Sequence, residues 1–159
     1  MNIVYLLLGS NLGKPLIQLK ETEKRINSEI GRVIKKSHLY KTAAWGKIDQ
    51  PDFYNQILIV ETSFDAENLL NKILSIETDM GRKRSLKFEP RTIDIDILFF
   101  NDEIINNPNL KVPHPLIAQR RFVLVPLNEL SPAYFHPVLN KTISELLDIC
   151  DDVLDVERK

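Results

Sequence analysis

Hydrophobic residues recur along the chain with two different periods, and short turn sequences separate the periodic segments. Alternation of apolar and polar residues, or a short apolar run, is typical of a strand. Strands are predicted over residues 3–8, 33–40, 55–61 and 93–100. Helices are predicted over residues 15–30, 65–80 and 142–149. The acidic residues 151–159 follow neither pattern, and we expect this tail to fray.

The order of these elements predicts the fold class. A β-α-β-β-α-β order with short connections indicates an α+β protein, in which an antiparallel sheet carries two helices on one face, with C-terminal helices added. The length of 159 residues predicts one domain, spanning residues 1–159. Neither a G-x-G-x-x-G motif nor a Walker lysine motif follows the first strand, so a nucleotide would have to bind through a different kind of phosphate-binding site.

Two carboxylates, Asp94 and Asp96, interrupt the apolar run over residues 93–100. Strand alternation places them on one face with Leu98 and Phe100, and places the other face at Ile93, Ile95, Ile97 and Phe99. Their Cα atoms should lie roughly 6.5 to 7 Å apart at the strand rise. Carboxylate oxygens are ligands that suit Mg²⁺. The pair therefore predicts a site for one shared cation or for two.

A run of cations precedes this strand and follows no helix or strand pattern. It consists of Arg82, Lys83, Arg84, Lys87 and Arg91. Guanidinium groups beside metal-binding carboxylates indicate a site for a magnesium nucleotide. The alternative is a solvated basic loop that leads into an edge strand whose two acids face water.

Three other features are ambiguous in the sequence alone. Glu77 lies at the edge of the core face of the second helix, and on its own it reads best as a surface acid paired with Arg84 or Lys83. His114 stands between two prolines, which suits ligand contact but also occurs in plain turns. Residues 9–11, Gly-Ser-Asn, favour a structural turn over a phosphate-binding turn.

Composition narrows the class of ligand. A net charge of −1 argues against a general nucleic-acid binder, and locally concentrated cations suit a small polyanion better. Cys150 is the only cysteine, which excludes an intramolecular disulfide and indicates a reducing compartment. The N-terminal apolar run has no basic segment before it and is too short for a signal peptide or a membrane span. We expect a cytoplasmic protein.

Motifs over nearly the whole length resemble those of the 6-hydroxymethyl-7,8-dihydropterin pyrophosphokinases of folate biosynthesis. They are Leu-Gly-Ser-Asn-Leu at 8–12, Tyr-Lys-Thr at 40–42, Gln-Pro-Asp-Phe-Tyr-Asn at 50–55, Ile-Glu at 76–77, Gly-Arg at 81–82, Pro-Arg-Thr-Ile-Asp-Ile-Asp at 90–96 and Val-Pro-His at 112–114. The resemblance implies a ferredoxin-like fold and an enzyme that moves the β,γ-diphosphate of ATP onto a dihydropterin alcohol and releases AMP. It implies two Mg²⁺ ions, with ATP as co-substrate. We expect no nucleic-acid, membrane or obligate protein partner.

The resemblance also implies a role for individual residues. Two Mg²⁺ ions would be held by Asp94 and Asp96. Catalysis would involve Arg82, Arg91 and Asp96. ATP would be contacted or its site organised by Leu70, Glu77, Arg82, Arg84, Arg91, Ile97, His114 and Arg120. The pterin would lie among Thr42, Ala43, Trp45, Phe53, Asn55 and Phe122. The loops around Trp45 and over residues 82–89 would close over the substrates.

Two other classes of function stay open at this point. A metal-dependent nucleotidyltransferase also uses a Gly-Ser turn followed by Asp-x-Asp, but it would release pyrophosphate instead of AMP. A non-catalytic ferredoxin-like module that binds a nucleotide or RNA would need aromatic residues on its sheet face and a basic surface. The acids of the strand over 93–100 oppose that second alternative.

Overall fold

The computed structural model describes residues 1–43, 51–81 and 92–159. Its strands are β1 (Asn2–Ser10), β2 (Gly31–Lys36), β3 (Tyr40–Thr42), β4 (Phe53–Thr62), β5 (Asp94–Phe100), β6 (Ile105–Asn106), β7 (Lys111–Val112) and β8 (Val156–Arg158). Its α-helices are α1 (Pro15–Glu29), α2 (Ala66–Asp79), α3 (Arg121–Leu130) and α4 (Ile143–Asp148). A short 3₁₀ helix, Ile117–Gln119, precedes α3.

One six-stranded antiparallel sheet organises the described residues. The strands follow the order β5-β1-β4-β3-β8, and β2 also pairs with β4. Strand β4 is ten residues long, so it accommodates β2 along one part of its length and β3 along another. Strands β6 and β7 form a separate hairpin. The order in which β1, α1, β2, β4, α2 and β5 are connected is that of a ferredoxin-like fold.

Helices cover both faces of this sheet. On one face, α1 and α2 pack on sheet residues such as Leu6 and Leu58, and we call this cluster the first core. On the other face, α3 and α4 pack on Leu7, Ile57 and Phe99, and we call this cluster the second core. The structure confirms the predicted α+β class, and it adds that the C-terminal helices lie opposite α1 and α2.

The helix termini follow the sequence signals. Pro15 occupies the first turn of α1, where its missing N–H group costs no hydrogen bond. The Asp65 side chain caps α2 by accepting a hydrogen bond from the Asn68 N–H group at 2.8 Å. Thr142 and Glu145 form a reciprocal capping box at α4. None of the helices in the described ranges is long and apolar enough to cross a membrane.

The single strand predicted over residues 33–40 is wrong, because the structure has two strands there, β2 and β3. The interruption lies at Ser37, which is buried. Its Oγ atom accepts a hydrogen bond from the Ile57 N–H group at 2.9 Å, and its own N–H group donates to the Ile57 carbonyl. A side chain therefore replaces one bond of the ladder, and the strand restarts at Tyr40.

The predicted alternation of β5 holds only as far as Leu98. Leu6 pairs with Ile97 and Tyr5 pairs with Phe99, so Leu98 is an extra residue in the strand. This β-bulge reverses the alternation beyond it. As a result Phe99 lies in the second core with Leu98, and Phe100 lies in the first core, the reverse of the prediction.

The expectation that residues 151–159 fray is also wrong. Residues Val156–Arg158 form β8, which pairs antiparallel with β3. Helix α3 was missed as well, because Pro126 inside it is a residue that normally ends a helix.

Candidate active site

One line of residues crosses three strands and joins the carboxylates to the predicted pterin pocket. Gly9 pairs with Asp94 on one side and with Asn55 on the other, and Asn55 in turn pairs with Tyr40. Residues directly opposite each other in a sheet have side chains on the same face. Asp96 pairs with Leu7, a residue of the second core, so both aspartates lie on the α3 side of the sheet. Strand spacing separates Asp94 from Asn55 by about 10 Å.

Gly9 leaves room for the side chain of Asn55. A Cβ atom at residue 9 would lie 2.8 Å from Nδ2 of Asn55, which is too close for an ordinary contact. Asn55 is 3% exposed, and its Nδ2 atom donates to the Leu8 carbonyl at 3.4 Å. Its Oδ1 atom has no hydrogen-bond partner among the described residues. A buried acceptor of this kind is costly unless a ligand or water satisfies it.

Helix α2 fixes the backbone between the two aspartates. Glu77 is 1% exposed, and its Oε2 atom accepts a hydrogen bond from the Ile95 N–H group at 2.7 Å. The interpretation of Glu77 as a surface acid is therefore wrong. Its predicted partners Arg84 and Lys83 lie outside the described residues. Glu77 thus holds the peptide that lies between the two aspartates.

His114 lies near both Asp94 and Arg120. Its N–H group donates to the Leu98 carbonyl at 3.0 Å, which holds the residue beside β5. Its ring Nδ1 atom accepts from the Leu116 N–H group at 3.2 Å, so a neutral ring carries its proton on Nε2. Burial lowers the pKa of His114 to about 4, with a further contribution from Arg120 that Asp94 opposes. The imidazole is neutral at physiological pH and offers one N–H donor.

Two aromatic residues lie on the Asn55 face of the sheet: a Cβ atom at residue 9 would lie 3.8 Å from Cδ1 of Phe53, and Phe122 packs against the second core. The Arg120 guanidinium carbon lies 5.6 Å from the centroid of the Phe122 ring, at the start of α3. Phe53 is the first residue of β4 and pairs with Thr42. Thr42 is buried, whereas Ala43 is exposed.

Two predicted ATP residues have their side chains in the first core. Ile97 is 5% exposed and lies on the face opposite Asp94 and Asp96, and Leu70 packs against the same core. The structure does not bring them together with the aspartates, and their contact with ATP stays a prediction. Four predicted residues lie outside the described residues: Trp45, Arg82, Arg84 and Arg91.

The side chains of residues 10, 11 and 18 hold the segments that lead into the site, and the sequence did not predict these hydrogen bonds. Ser10 Oγ donates to the Thr92 carbonyl at 2.5 Å, and Gln18 Nε2 donates to the same carbonyl at 2.7 Å. Asn11 Nδ2 donates to the Pro51 carbonyl at 3.0 Å. The turn after β1 thus holds the residues that lead into β5 and β4, which supports its structural interpretation. In the sequence, the only indication of these contacts was the group of small polar residues that follows the first buried strand.

The donor set of β5 suits a magnesium ion. Within residues 1–43, 51–81 and 92–159, no group of three or more His, Cys, Asp or Glu side chains could hold a metal ion. Mg²⁺ does not require such a group, because it is commonly held by one or two carboxylates and takes its other ligands from phosphates and water. Asp94 and Asp96 are half-buried and share one face, which fits that mode.

Comparison with known proteins gives consistent matches over most of the chain. The family model described as 7,8-dihydro-6-hydroxymethylpterin-pyrophosphokinase (HPPK) matches residues 5–132. The chain is 40% identical over 145 residues to the 2-amino-4-hydroxy-6-hydroxymethyldihydropteridine pyrophosphokinase of Aquifex aeolicus, covering 91% of this chain and 90% of that one. It is 37% identical over 150 residues to the enzyme of the same name from Pseudomonas aeruginosa, covering 92% and 91%.

Some similar proteins are much longer than this chain. The match to the folic acid synthesis protein FOL1 of Dictyostelium discoideum, at 38% identity, covers 91% of this chain and 22% of that protein. The structure of Plasmodium falciparum HPPK-DHPS with pteroate superposes with a TM-score of 0.75 at 23% identity. It covers 92% of this chain and 42% of that one, so the chain spans less than half of the solved protein. That similarity bears on the fold alone.

Proposed function

The chain belongs to the 7,8-dihydro-6-hydroxymethylpterin-pyrophosphokinase family, and from this premise we propose how its residues divide the work of the reaction. The enzyme transfers pyrophosphate from ATP to the hydroxymethyl group of 6-hydroxymethyl-7,8-dihydropterin, releasing AMP, in folate biosynthesis. Because the chain belongs to this family, the two alternative functions, a nucleotidyltransferase and a non-catalytic binding module, are set aside. The residue assignments, the metal and the absence of an obligate protein partner are proposals.

The proposal depends above all on the line that joins Asp94, Gly9 and Asn55 on one face of the sheet. A pterin whose polar edge meets Asn55 would extend its hydroxymethyl group along this face toward the aspartates. The separation of about 10 Å given by two strand spacings leaves room for the ring and the reacting phosphate between them. Alignment of this kind supplies a large part of the rate enhancement in phosphoryl transfer.

We assign the metal to Asp94 and Asp96, with two ions expected. When bound, Mg²⁺ neutralises phosphate charge and orients the β,γ-diphosphate for attack. The protein's own contribution is to keep the two carboxylates on one face at a fixed spacing. The hydrogen bond from the Ile95 N–H group to Glu77 supports that role, because it holds the peptide between them.

The phosphate groups of ATP would meet His114 and Arg120, with Arg82, Arg84 and Arg91 completing the set. The reaction forms a bond between the pterin oxygen and the β-phosphorus, with loss of the hydroxyl proton to solvent, and breaks the bond between that phosphorus and the α,β-bridging oxygen, which leaves with AMP. Positive charge and N–H donors lower the barrier because the transferring group is a polyanion. His114, which is neutral in the free protein, would offer its Nε2–H group as a donor to these phosphates.

The pterin pocket would be formed by Asn55 at the ring edge and by Phe53 and Phe122 on the ring faces. Thr42, Ala43 and Trp45 would line the remaining side. The buried Oδ1 atom of Asn55, which accepts no hydrogen bond from the described residues, supports the assignment. The pterin carries N–H groups that would satisfy this acceptor.

The test compares Asp94→Asn and Asp96→Asn with Asp148→Asn, an exposed aspartate of α4. AMP release that depends on pterin and Mg²⁺ should fall by about a hundredfold or more in the first two, because charge neutralisation worth several kcal/mol is lost. Titration calorimetry of Mg²⁺ in the presence of an ATP analogue should show weakened binding in the same two variants. Melting temperatures should hold or rise, since repulsion between the acids is relieved. Full activity at ordinary Mg²⁺ concentrations in both variants would contradict the metal assignment.

A further inference from the structure

The C-terminal tail contacts both sides of the proposed pterin pocket. At one end, β8 pairs with β3, so that Val156 lies opposite Thr42 and Arg158 lies opposite Tyr40. Strand β3 pairs on its other side with β4, where Thr42 lies opposite Phe53 and Tyr40 lies opposite Asn55. Two proposed pterin contacts are thus one strand away from the tail.

The other end of the tail is attached to the start of α3. Asp152 Oδ2 accepts a hydrogen bond from the Arg121 N–H group at 3.0 Å, and its Oδ1 atom accepts from Leu154 at 3.1 Å. Arg121 directly precedes Phe122, the residue proposed to form the opposite side of the pocket. We call residues 152–158 the tail segment. It runs from the Phe122 side of the site to the Phe53 side.

The tail segment provides the hydrogen-bonding partner on one side of strand β3, and β4 provides the partner on the other side. Strand β3 is only three residues long, and strands of that length contribute little stability by themselves. The Thr42 hydroxyl donates to the Asp155 carbonyl at 3.0 Å. The Lys159 N–H group donates to the Leu39 carbonyl at 2.8 Å, which extends the attachment to the residue before β3. Thr42 is 3% exposed in this arrangement.

A chain of side-chain hydrogen bonds locks the tail segment to α3 and β3. The Arg158 guanidinium lies 2.7 Å from Nε2 of His38 and can only donate, so Nε2 accepts and Nδ1 carries the ring proton. Nδ1 lies 2.7 Å from Glu129 of α3 and donates to it. The Tyr40 hydroxyl donates to the same carboxylate at 2.7 Å.

The carboxylate at the centre of this chain is held in its charged form. Partial burial is the largest influence on Glu129 and raises its pKa, but the hydrogen bonds from Tyr40 and His38 outweigh it and the pKa is lowered. The pKa of Tyr40 rises to about 12, through burial first and then through Glu129. The Glu129 carboxylate thus remains an acceptor and the Tyr40 hydroxyl remains a donor at physiological pH.

We infer that the tail segment is a positioning element for the pterin, which sets the distance between the Thr42–Phe53 side and the Phe122 side of the pocket. This inference rests on the proposed pterin site. Arg158 and His38 act through β3, and neither is a catalytic residue. A pyrophosphate acceptor must be aligned closely with the β-phosphorus, so small changes in this distance affect pterin binding and turnover more than ATP binding.

The test uses Arg158→Ala and a chain that ends at Asp151, with Lys159→Ala as the matched control. Lys159 is the adjacent cation, and its side chain pairs with Glu157 at the surface. Pterin binding is measured by calorimetry with an ATP analogue whose α,β-bridge cannot be cleaved, and ATP binding is measured separately. Arg158→Ala should raise the Kd and KM for the pterin by on the order of three- to tenfold, which is the net contribution of one ordinary hydrogen bond. Its ATP affinity should stay within about twofold, which is a change of under 0.5 kcal/mol.

Arg158→Lys should recover part of the pterin affinity, because lysine also donates to His38. The shortened chain should lose more pterin affinity than Arg158→Ala. A parallel loss of pterin and ATP affinity that follows the melting temperature would overturn the inference, as would unchanged pterin binding in a folded Arg158→Ala protein. The variant Asn55→Ala distinguishes a failure of the tail inference from a failure of the proposed pterin site. If Asn55→Ala weakens pterin binding and Arg158→Ala does not, only the tail inference fails. If Asn55→Ala has no effect, the pterin site itself is wrong.

Discussion

Replacing Glu77 with alanine should destabilise the protein at the peptide between its two aspartates. The side chain is 1% exposed, and its Oε2 atom accepts from the Ile95 N–H group at 2.7 Å. A buried backbone N–H group that loses its acceptor costs about 1–3 kcal/mol. Alanine also leaves a small cavity beside Ile95, so we expect a total cost of about 2–4 kcal/mol. For a chain of this length that is a fall in melting temperature of roughly 5–15 °C.

Glu77→Gln separates the hydrogen bond from the charge, because the amide oxygen keeps an acceptor of the same shape. It should cost less than Glu77→Ala and retain more activity. Glu67→Ala is the control on the same helix, since Glu67 is exposed in the first turn and contributes under about 1 kcal/mol.

Urea unfolding gives the free-energy change, and AMP release at saturating substrates gives turnover. A displacement of the aspartates of about 1 Å would lower turnover by on the order of a hundredfold. A Glu77→Ala protein as stable and as active as the Glu67→Ala control would refute the reasoning.

Three further predictions concern single residues of the site. Gly9→Ala should weaken pterin binding with little effect on ATP, because the new Cβ would lie 2.8 Å from Nδ2 of Asn55; equal pterin affinity in calorimetry would contradict this. Phe122→Ala should weaken pterin binding in the nucleotide-bound enzyme by about 0.5–1.5 kcal/mol beyond lost burial, and ATP affinity should stay unchanged; joint loss of both ligands with the melting temperature would indicate a core role instead. His114 has a folded-state pKa of about 4, below its ordinary value of 6.5, so its stabilising contribution is complete above pH 6.5 and is lost as pH falls toward 4. The loss is at most about 3 kcal/mol. His114→Asn, which keeps an acceptor for the Leu116 N–H group, should flatten the melting temperature over that range, and an unchanged pH profile would contradict the assignment.

Local signals were sufficient for the elements that have a strong period and clear ends. Helices α1 and α2 begin at Pro15 and after Asp65 as expected, and the position of β5 follows from its apolar run. The bulge at Leu98 was not predictable, because it depends on how β1 pairs with β5 and leaves no mark in the composition of either strand. Strand β8 was missed for a similar reason. Its partner β3 lies more than a hundred residues earlier in the chain, and a three-residue strand has too few residues to show a period.

In the candidate site, too, the features that follow from short-range rules were predictable and those that depend on distant residues were not. The carboxylate pair was visible because strand alternation is a short-range rule, and the resemblance supplied residues that no short-range rule connects. The structural turn at Ser10 and Asn11 was predicted, but their acceptors, the carbonyl groups of Thr92 and Pro51, were not. Every residue has a carbonyl group, so the sequence cannot indicate which one a side chain will meet.

The position of β5 at the border of the sheet has a consequence for the solubility of the enzyme. An uncovered border strand presents backbone groups to which another chain can add, and this is a common route to aggregation. Here the Ile95 N–H group is taken by Glu77, and the Leu98 carbonyl is taken by the His114 N–H group. Glu77 and His114, which we propose to organise the nucleotide end of the site, therefore also occupy backbone groups to which a strand of another molecule could add.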